Sequence, residues 1–150
     1  MFDSESVYKM TSPIRGRCLI INNNSFSDLS KGNGGTGSDR KGSEVDVENI
    51  SGLFKSLAFK WETIHRDLTA KKLLETIQKE TEHADHKNYG MFVLVVMTHG
   101  SDYHLSGSDG VPVPRTSIFD LLSASQFPSM AGKPKLLIFQ ACSGGKYNTN

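Results

Sequence analysis

The chain has 150 residues, 37% of them hydrophobic and 22% charged, and its 17 basic and 16 acidic side chains leave a net charge of +1. These figures suit one compact domain with its own core and exclude general disorder and fibrous repeats. They leave no basic excess for a nucleic-acid or acidic-membrane surface, and two cysteines cannot build a disulfide framework, which favours a reducing, cytoplasmic setting. The longest apolar run, Met91 to Met97, is too short to cross a bilayer, and the first ten residues lack the apolar stretch of a secretory signal, so a soluble intracellular protein is expected.

Residues 1–12 are polar and read as a flexible segment, so the domain is expected to run from 13 to 150. Cys18-Leu19-Ile20-Ile21 is a continuous apolar run without alternation, which predicts a strand buried on both faces. Residues 22–42, rich in Asn, Ser and Gly, read as a long loop. Ser43-x-x-Asp46 resembles a capping box and opens a helix with the stripe Ile50, Leu53, Phe54, Leu57. A strand over 59–65 follows. A second helix, capped by Thr69, carries Ala70, Leu73, Leu74 and Ile77. Strands over 91–97 and 135–140 flank a small hairpin within 103–113 and a third helix with Ile118, Leu121, Leu122 and Ser125 on one side. The order β-α-β-α-β-loop-α-β is that of an α/β domain with a mostly parallel sheet.

Such a sheet gathers chemistry at the carboxyl ends of its strands. The 91–97 run leads into Thr98-His99-Gly100, and the 135–140 run leads into Gln140-Ala141-Cys142-Ser143-Gly144. One imidazole and one thiol therefore stand at the same edge. A cysteine protease needs a rim thiol, an imidazole to protonate the leaving amine and amide donors for the oxyanion. Cys142, His99 and the amides of Gly100 and Cys142 can fill those roles. On spacing alone a small hydrophobe and an unrelated histidine fit as well, and are the commoner case.

Local residues go further. Gln140-Ala141-Cys142-x-Gly144, with His99-Gly100 a few dozen residues upstream, resembles the caspase active site; this is a known signature of that family. Arg40-x-Gly42-Ser43-x-x-Asp46 is similar to the family's R-x-G-[TS]-x-x-D. Arg15 to Asn23 is similar to its first strand, Leu57-Ala58-Phe59-Lys60 to its second, and Gly132 to Cys142 to its run into the nucleophile. The likeness extends from about Pro13 to Gly145 and is strongest toward the nematode cell-death branch. It implies a caspase-like mostly parallel sheet flanked by helices on both faces, and a large (p20-like) subunit of an aspartate-directed cysteine endopeptidase acting in apoptosis. By the same likeness, Cys142 is the nucleophile, His99 the general acid–base, and Gly100 and Cys142 the oxyanion donors. Arg40 and Gln140 line the pocket for the substrate aspartate, where a guanidinium can read the carboxylate through two parallel hydrogen bonds.

The resemblance implies no metal or other cofactor. It implies protein substrates cut after Asp, and a small subunit forming a heterodimer that pairs again into a heterotetramer, because a second pocket arginine and a substrate-pairing strand are not found after Gly145. Ser143 departs from the Arg, Gln or Gly common at that position, and Thr98 from the common Ser, keeping a hydroxyl. The alternative is an inactive caspase-like regulator that binds other caspases; retention of Cys142, His99, Arg40 and Gln140 argues against it.

Other patterns take plainer readings. Gly32-x-Gly34-x-x-Gly37 sits too far from any strand end to bind a dinucleotide and reads as an insertion. His83-x-x-His86 reads as a solvated helix end rather than a metal site. Asn23-Asn24-Ser25 is a sequon without a secretory context. Cys18 reads as buried and inert, and Trp61, Phe54 and Phe59 as core.

Overall fold

The computed structural model describes residues 13–25, 42–61 and 63–142. The segment 1–12, the glycine-rich run, Arg40 and the residues after Cys142 lie outside the described residues. The elements run β1 (Gly16–Asn22), α1 (Ser43–Ser56), β2 (Phe59–Lys60), β3 (Ile64–Arg66), α2 (Ala70–Thr81), a 3₁₀ turn (Ala84–Asn88), β4 (Met91–His99), β5 (His104–Ser106), β6 (Pro112–Pro114), α3 (Arg115–Leu121), a second 3₁₀ turn (Pro128–Met130) and β7 (Lys135–Cys142).

The main sheet has the order β2-β1-β4-β7, with β3 also paired to β1, and every pairing in it is parallel. All seven residues of β1 are buried, as are residues 92–98 of β4. Burying a large aliphatic side chain is worth about 1.5–3 kcal/mol, against differences of about 1 kcal/mol in strand propensity, so burial decides that these runs lie at the centre. Leu19, Ile21, Phe92, Leu94 and Val96 pack on one side with Leu73 and Ile77 of α2 and Ile118 of α3. Cys18, Ile20, Val93, Val95 and Met97 pack on the other with Val47 and Phe54 of α1. Helices therefore cover both faces, as the α/β reading expects. The hairpin is present as antiparallel β5 and β6.

Several local expectations need correction. The strand over 59–65 is two short pieces, because Arg17 pairs with Lys60 while Ile20 pairs with Ile64. The register against β1 thus differs by one residue between the two pieces. α1 is capped not by Ser43 but by Gly42, in the left-handed region at φ 81°, which suits glycine. Ser43 is buried, its hydroxyl accepting from Asn22 Nδ2 at 3.3 Å. The buried face of α1 is Val47, Ser51 and Phe54 with Ile50 beside it, whereas Leu53 and Leu57 are exposed. Thr69 does cap α2, accepting from the Lys72 amide.

His86 is not solvated: it is fully buried. Its ring meets Phe92 and Phe127 edge-on at 5.4 and 4.8 Å, and Nε2 donates to the Glu80 carbonyl at 2.9 Å while lying 3.2 Å from Glu80 Oε1. Glu80 in turn holds Arg17 through Nε at 2.6 Å and Nη2 at 3.3 Å. A polar sequence stretch concealed this, because the imidazole is a bridge between an aromatic cluster and a buried ion pair. His83 sits at the rim, its Nδ1 accepting from the Asp85 amide.

Candidate active site

β4 and β7 run side by side in the same direction and end together. Their register pairs Met97 with Gln140, Thr98 with Ala141 and His99 with Cys142. His99 and Cys142 are thus direct neighbours across two strands, whose spacing is about 4.8 Å. The histidine and cysteine expected to act together thus occupy paired backbone positions at the carboxyl edge of the sheet. His99 is half-buried, while Thr98 before it is fully buried.

Thr98 is fixed by its hydroxyl, which donates to the Ser106 carbonyl at 2.6 Å. A hydroxyl is what this position requires, so serine or threonine serves. Ser106 also accepts from Asn23 Nδ2 at 3.3 Å, and Asn23 further donates to the Leu68 carbonyl and accepts from the Leu68 amide. The sequon asparagine is therefore a fully buried tie between the ends of β1, β5 and the loop before α2.

Gly100 follows His99 directly and bridges to Leu105. A Cβ at this position would collide with the His104 carbonyl oxygen and crowd Ala141 and Leu105. Glycine thus lets the loop lie flat against the end of β7 at Ala141, one residue before Cys142. Sequence reasoning gave this glycine a substrate-side role; the protein's own packing requires it as well.

Gln140 is exposed at the end of β7 and donates through Nε2 to Asp46 Oδ2 at 3.3 Å. Asp46 closes the motif that begins at Arg40, so two segments expected to share a pocket touch through these side chains. The Asp46 contact was missed at the sequence level, although the residue was in view as part of that motif. Arg40 itself lies outside the described residues. Glu44, in the first turn of α1, is held below the usual carboxylate range by hydrogen bonds from Arg66, with a further one from Asn22. Cys18, the other cysteine, is buried mid-strand, and burial pushes its thiol up to about 12. It cannot compete as a nucleophile near neutral pH. No helix among the described residues is long and apolar enough to cross a membrane.

Comparison with known proteins identifies the family. The caspase domain family model matches residues 15–150. Caspase-8 of Mus musculus is 38% identical over 151 aligned positions, covering 96% of this chain and 30% of that protein. Cell death protein 3 of Caenorhabditis remanei is 34% identical, covering 96% of this chain and 26% of the relative. Caspase-3 of Bos taurus is 35% identical, covering 93% of this chain and 48% of the relative. The chain therefore spans between about a quarter and a half of these relatives. With a helix-covered parallel sheet, a histidine and a cysteine paired at its carboxyl edge and a family match over nearly the whole length, the chain belongs to the caspase family.

Proposed function

We propose that this chain is the large catalytic subunit of a cysteine endopeptidase that cleaves proteins after aspartate. The observation that carries the reading is the register of His99 against Cys142. Cys142 attacks the scissile carbonyl carbon as a thiolate, forming the S–C bond, and His99 delivers its proton to the departing amine. Water then hydrolyses the thioester, releasing the acid and restoring the thiol. The amides of Gly100 and Cys142 receive the negative charge that develops on the carbonyl oxygen, a contribution worth about 3 kcal/mol per donor in comparable sites. Arg40 and Gln140 hold the substrate aspartate; the Gln140–Asp46 contact supports this by linking the Arg40 motif to β7.

A partner completes the site. β7 has a single strand neighbour among the described residues, and its apolar side chains are only half covered, with Leu136 40% exposed, whereas the interior of β4 is wholly buried. A long apolar edge carrying one charge, Lys135, is suited to being paired or covered. A caspase small subunit is the occupant that family membership supplies. The heterodimer then pairs again into a tetramer, made from a precursor by cleavage after aspartate and acting in the cytoplasm in apoptosis.

The test is to refold the full chain with a small subunit and assay peptides with aspartate at the cleavage position. Turnover that disappears in Cys142→Ala and falls severely in Arg40→Ala is expected. Absence of turnover with several partners would instead favour an inactive regulator. Equal turnover of aspartate and asparagine peptides would overturn the pocket.

A further inference from the structure

Arg115 lies at the junction of β6 and α3, outside every motif discussed so far. Its side chain nevertheless touches both segments that carry the site. Nη2 donates to the Ser101 carbonyl at 2.7 Å, two residues after His99. The guanidinium carbon stands 5.5 Å from the centroid of Phe139, three residues before Cys142. Phe139 is itself stacked on Phe119 of α3, with centroids 6.2 Å apart and rings within 29° of parallel. The Arg115 backbone amide donates to the Tyr103 carbonyl at 2.9 Å.

The loop after His99 is otherwise closed on itself. The Ser101 amide donates to the His104 carbonyl at 2.8 Å, and Ser101 Oγ accepts from the amides of Tyr103 and His104, each at 3.3 Å. Those bonds fix the shape of the turn, while its placement on β7 is left to the close approach of Gly100 to Ala141 and to Arg115. Arg115 Nε is buried and has no hydrogen-bond partner. Its orientation is therefore set by the ring on one side and the carbonyl on the other, an arrangement that a planar guanidinium supports and an ammonium does not.

From this we propose that Arg115 is a positioning residue: it ties the His99–His104 loop to β7 and so holds the Gly100 amide beside the strand end that carries Cys142. The proposal rests on the protease reading above. Oxyanion donors act only within a few tenths of an ångström of their proper place, and a misplacement of about 1 Å can slow a reaction about 100-fold. The packing of Gly100 on Ala141 leaves little slack, so a partial release of the loop shifts the donor without unfolding the domain.

The experiment compares wild type, Arg115→Met and Arg115→Lys in the assembled enzyme. It records kcat and KM on an aspartate peptide, the unfolding midpoint, and hydrogen exchange of the Ser101, Tyr103 and His104 amides. In Arg115→Met, kcat is expected to fall about tenfold with KM and the unfolding midpoint little changed, while the three amides exchange faster. Arg115→Lys, which keeps a donor for Ser101, recovers part of kcat. An unchanged kcat, or a loss that tracks a lowered unfolding midpoint, overturns the proposal. If wild type itself is inactive with every partner, the protease reading fails separately. In that case faster exchange in Arg115→Met still upholds the tether, and unchanged exchange removes it.

Discussion

Gln140 and Asp46, 94 residues apart in sequence, meet through a 3.3 Å hydrogen bond at the carboxyl edge of the sheet. The bond uses one of the two Nε2 hydrogens of Gln140 and leaves the other as a donor for a carboxylate. An exposed hydrogen bond of this length is worth about 0.5–1 kcal/mol. Asp46→Ala is therefore expected to raise KM for aspartate peptides by only a few fold, with kcat little changed. Gln140→Ala, which removes the pocket group itself, should have the larger effect on KM. Steady-state kinetics on one peptide series decides this. A larger loss in Asp46→Ala than in Gln140→Ala would reverse the assignment.

The Thr98 hydroxyl, one residue before His99, gives a stability prediction with an internal control. It is fully buried and donates to the Ser106 carbonyl at 2.6 Å. Thr98→Val keeps the shape and removes the donor, which should destabilise by about 1–2 kcal/mol. Thr98→Ser keeps the donor and gives up one buried methyl, at a cost of about 1 kcal/mol. Activity separates the two more sharply than stability does: the serine variant should stay active, while the valine variant loosens the strand end that presents His99. Denaturant unfolding together with kcat provides the check.

How far the sequence carried depended on whether the deciding force was local. The unbroken apolar runs of β1 and β4 identified central strands because burial on both faces leaves no room for alternation. Thr69 was legible as a cap because its partner, the Lys72 amide, is three residues away. His99 and Cys142 were legible as the ends of two strands, but their register was not, since it depends on how β4 and β7 slide against each other. His86 was misread because its polar neighbours in sequence hide the burial that folding brings: Glu80 of α2, Phe92 of β4 and Phe127, just before the second 3₁₀ turn, close around it. Arg115 carried no signal at all, as nothing in a β6–α3 junction predicts a ring 24 positions later. The α1 face was also misjudged: four apolar residues at helical spacing suit either of two rotations, and the β1–β2 surface selects the one that buries Val47 and Phe54.

The two cysteines should react very differently. Cys18 is 5% exposed with its thiol pushed up to about 12, first by burial and then by the nearby Glu80 carboxylate. Thiolate, the reactive form, is scarce there until strongly alkaline pH. In the native assembled protein at neutral pH, iodoacetamide should place its first carbamidomethyl group on Cys142 and leave Cys18 unlabelled. Denaturant should expose Cys18 and make the two equal. Peptide mapping after timed alkylation reads this directly, and early labelling of Cys18 would contradict its burial.

The buried Arg17–Glu80–His86 bridge predicts a defined response to acid. Burial acts to raise the Glu80 carboxyl, but hydrogen bonds from His86 and Arg17, with the Arg17 charge, outweigh it and hold the group below the ordinary value of 4.5. A carboxyl depressed on folding adds stability above its unfolded value, and that contribution is lost as the pH falls through the folded value. The side chains of Arg17 and Glu80 are only 8% and 11% exposed, so solvent screens the pair weakly. Removing one partner of such a pair leaves the other buried without compensation. Glu80→Ala should therefore lower unfolding free energy by about 3 kcal/mol at neutral pH. Below the ordinary carboxylate range the wild type also loses its charge at Glu80, and the gap between the two proteins should narrow. Urea unfolding of both across that range tests the sign: a gap that stays constant or widens in acid would mean that Glu80 stabilises the fold by packing rather than by charge.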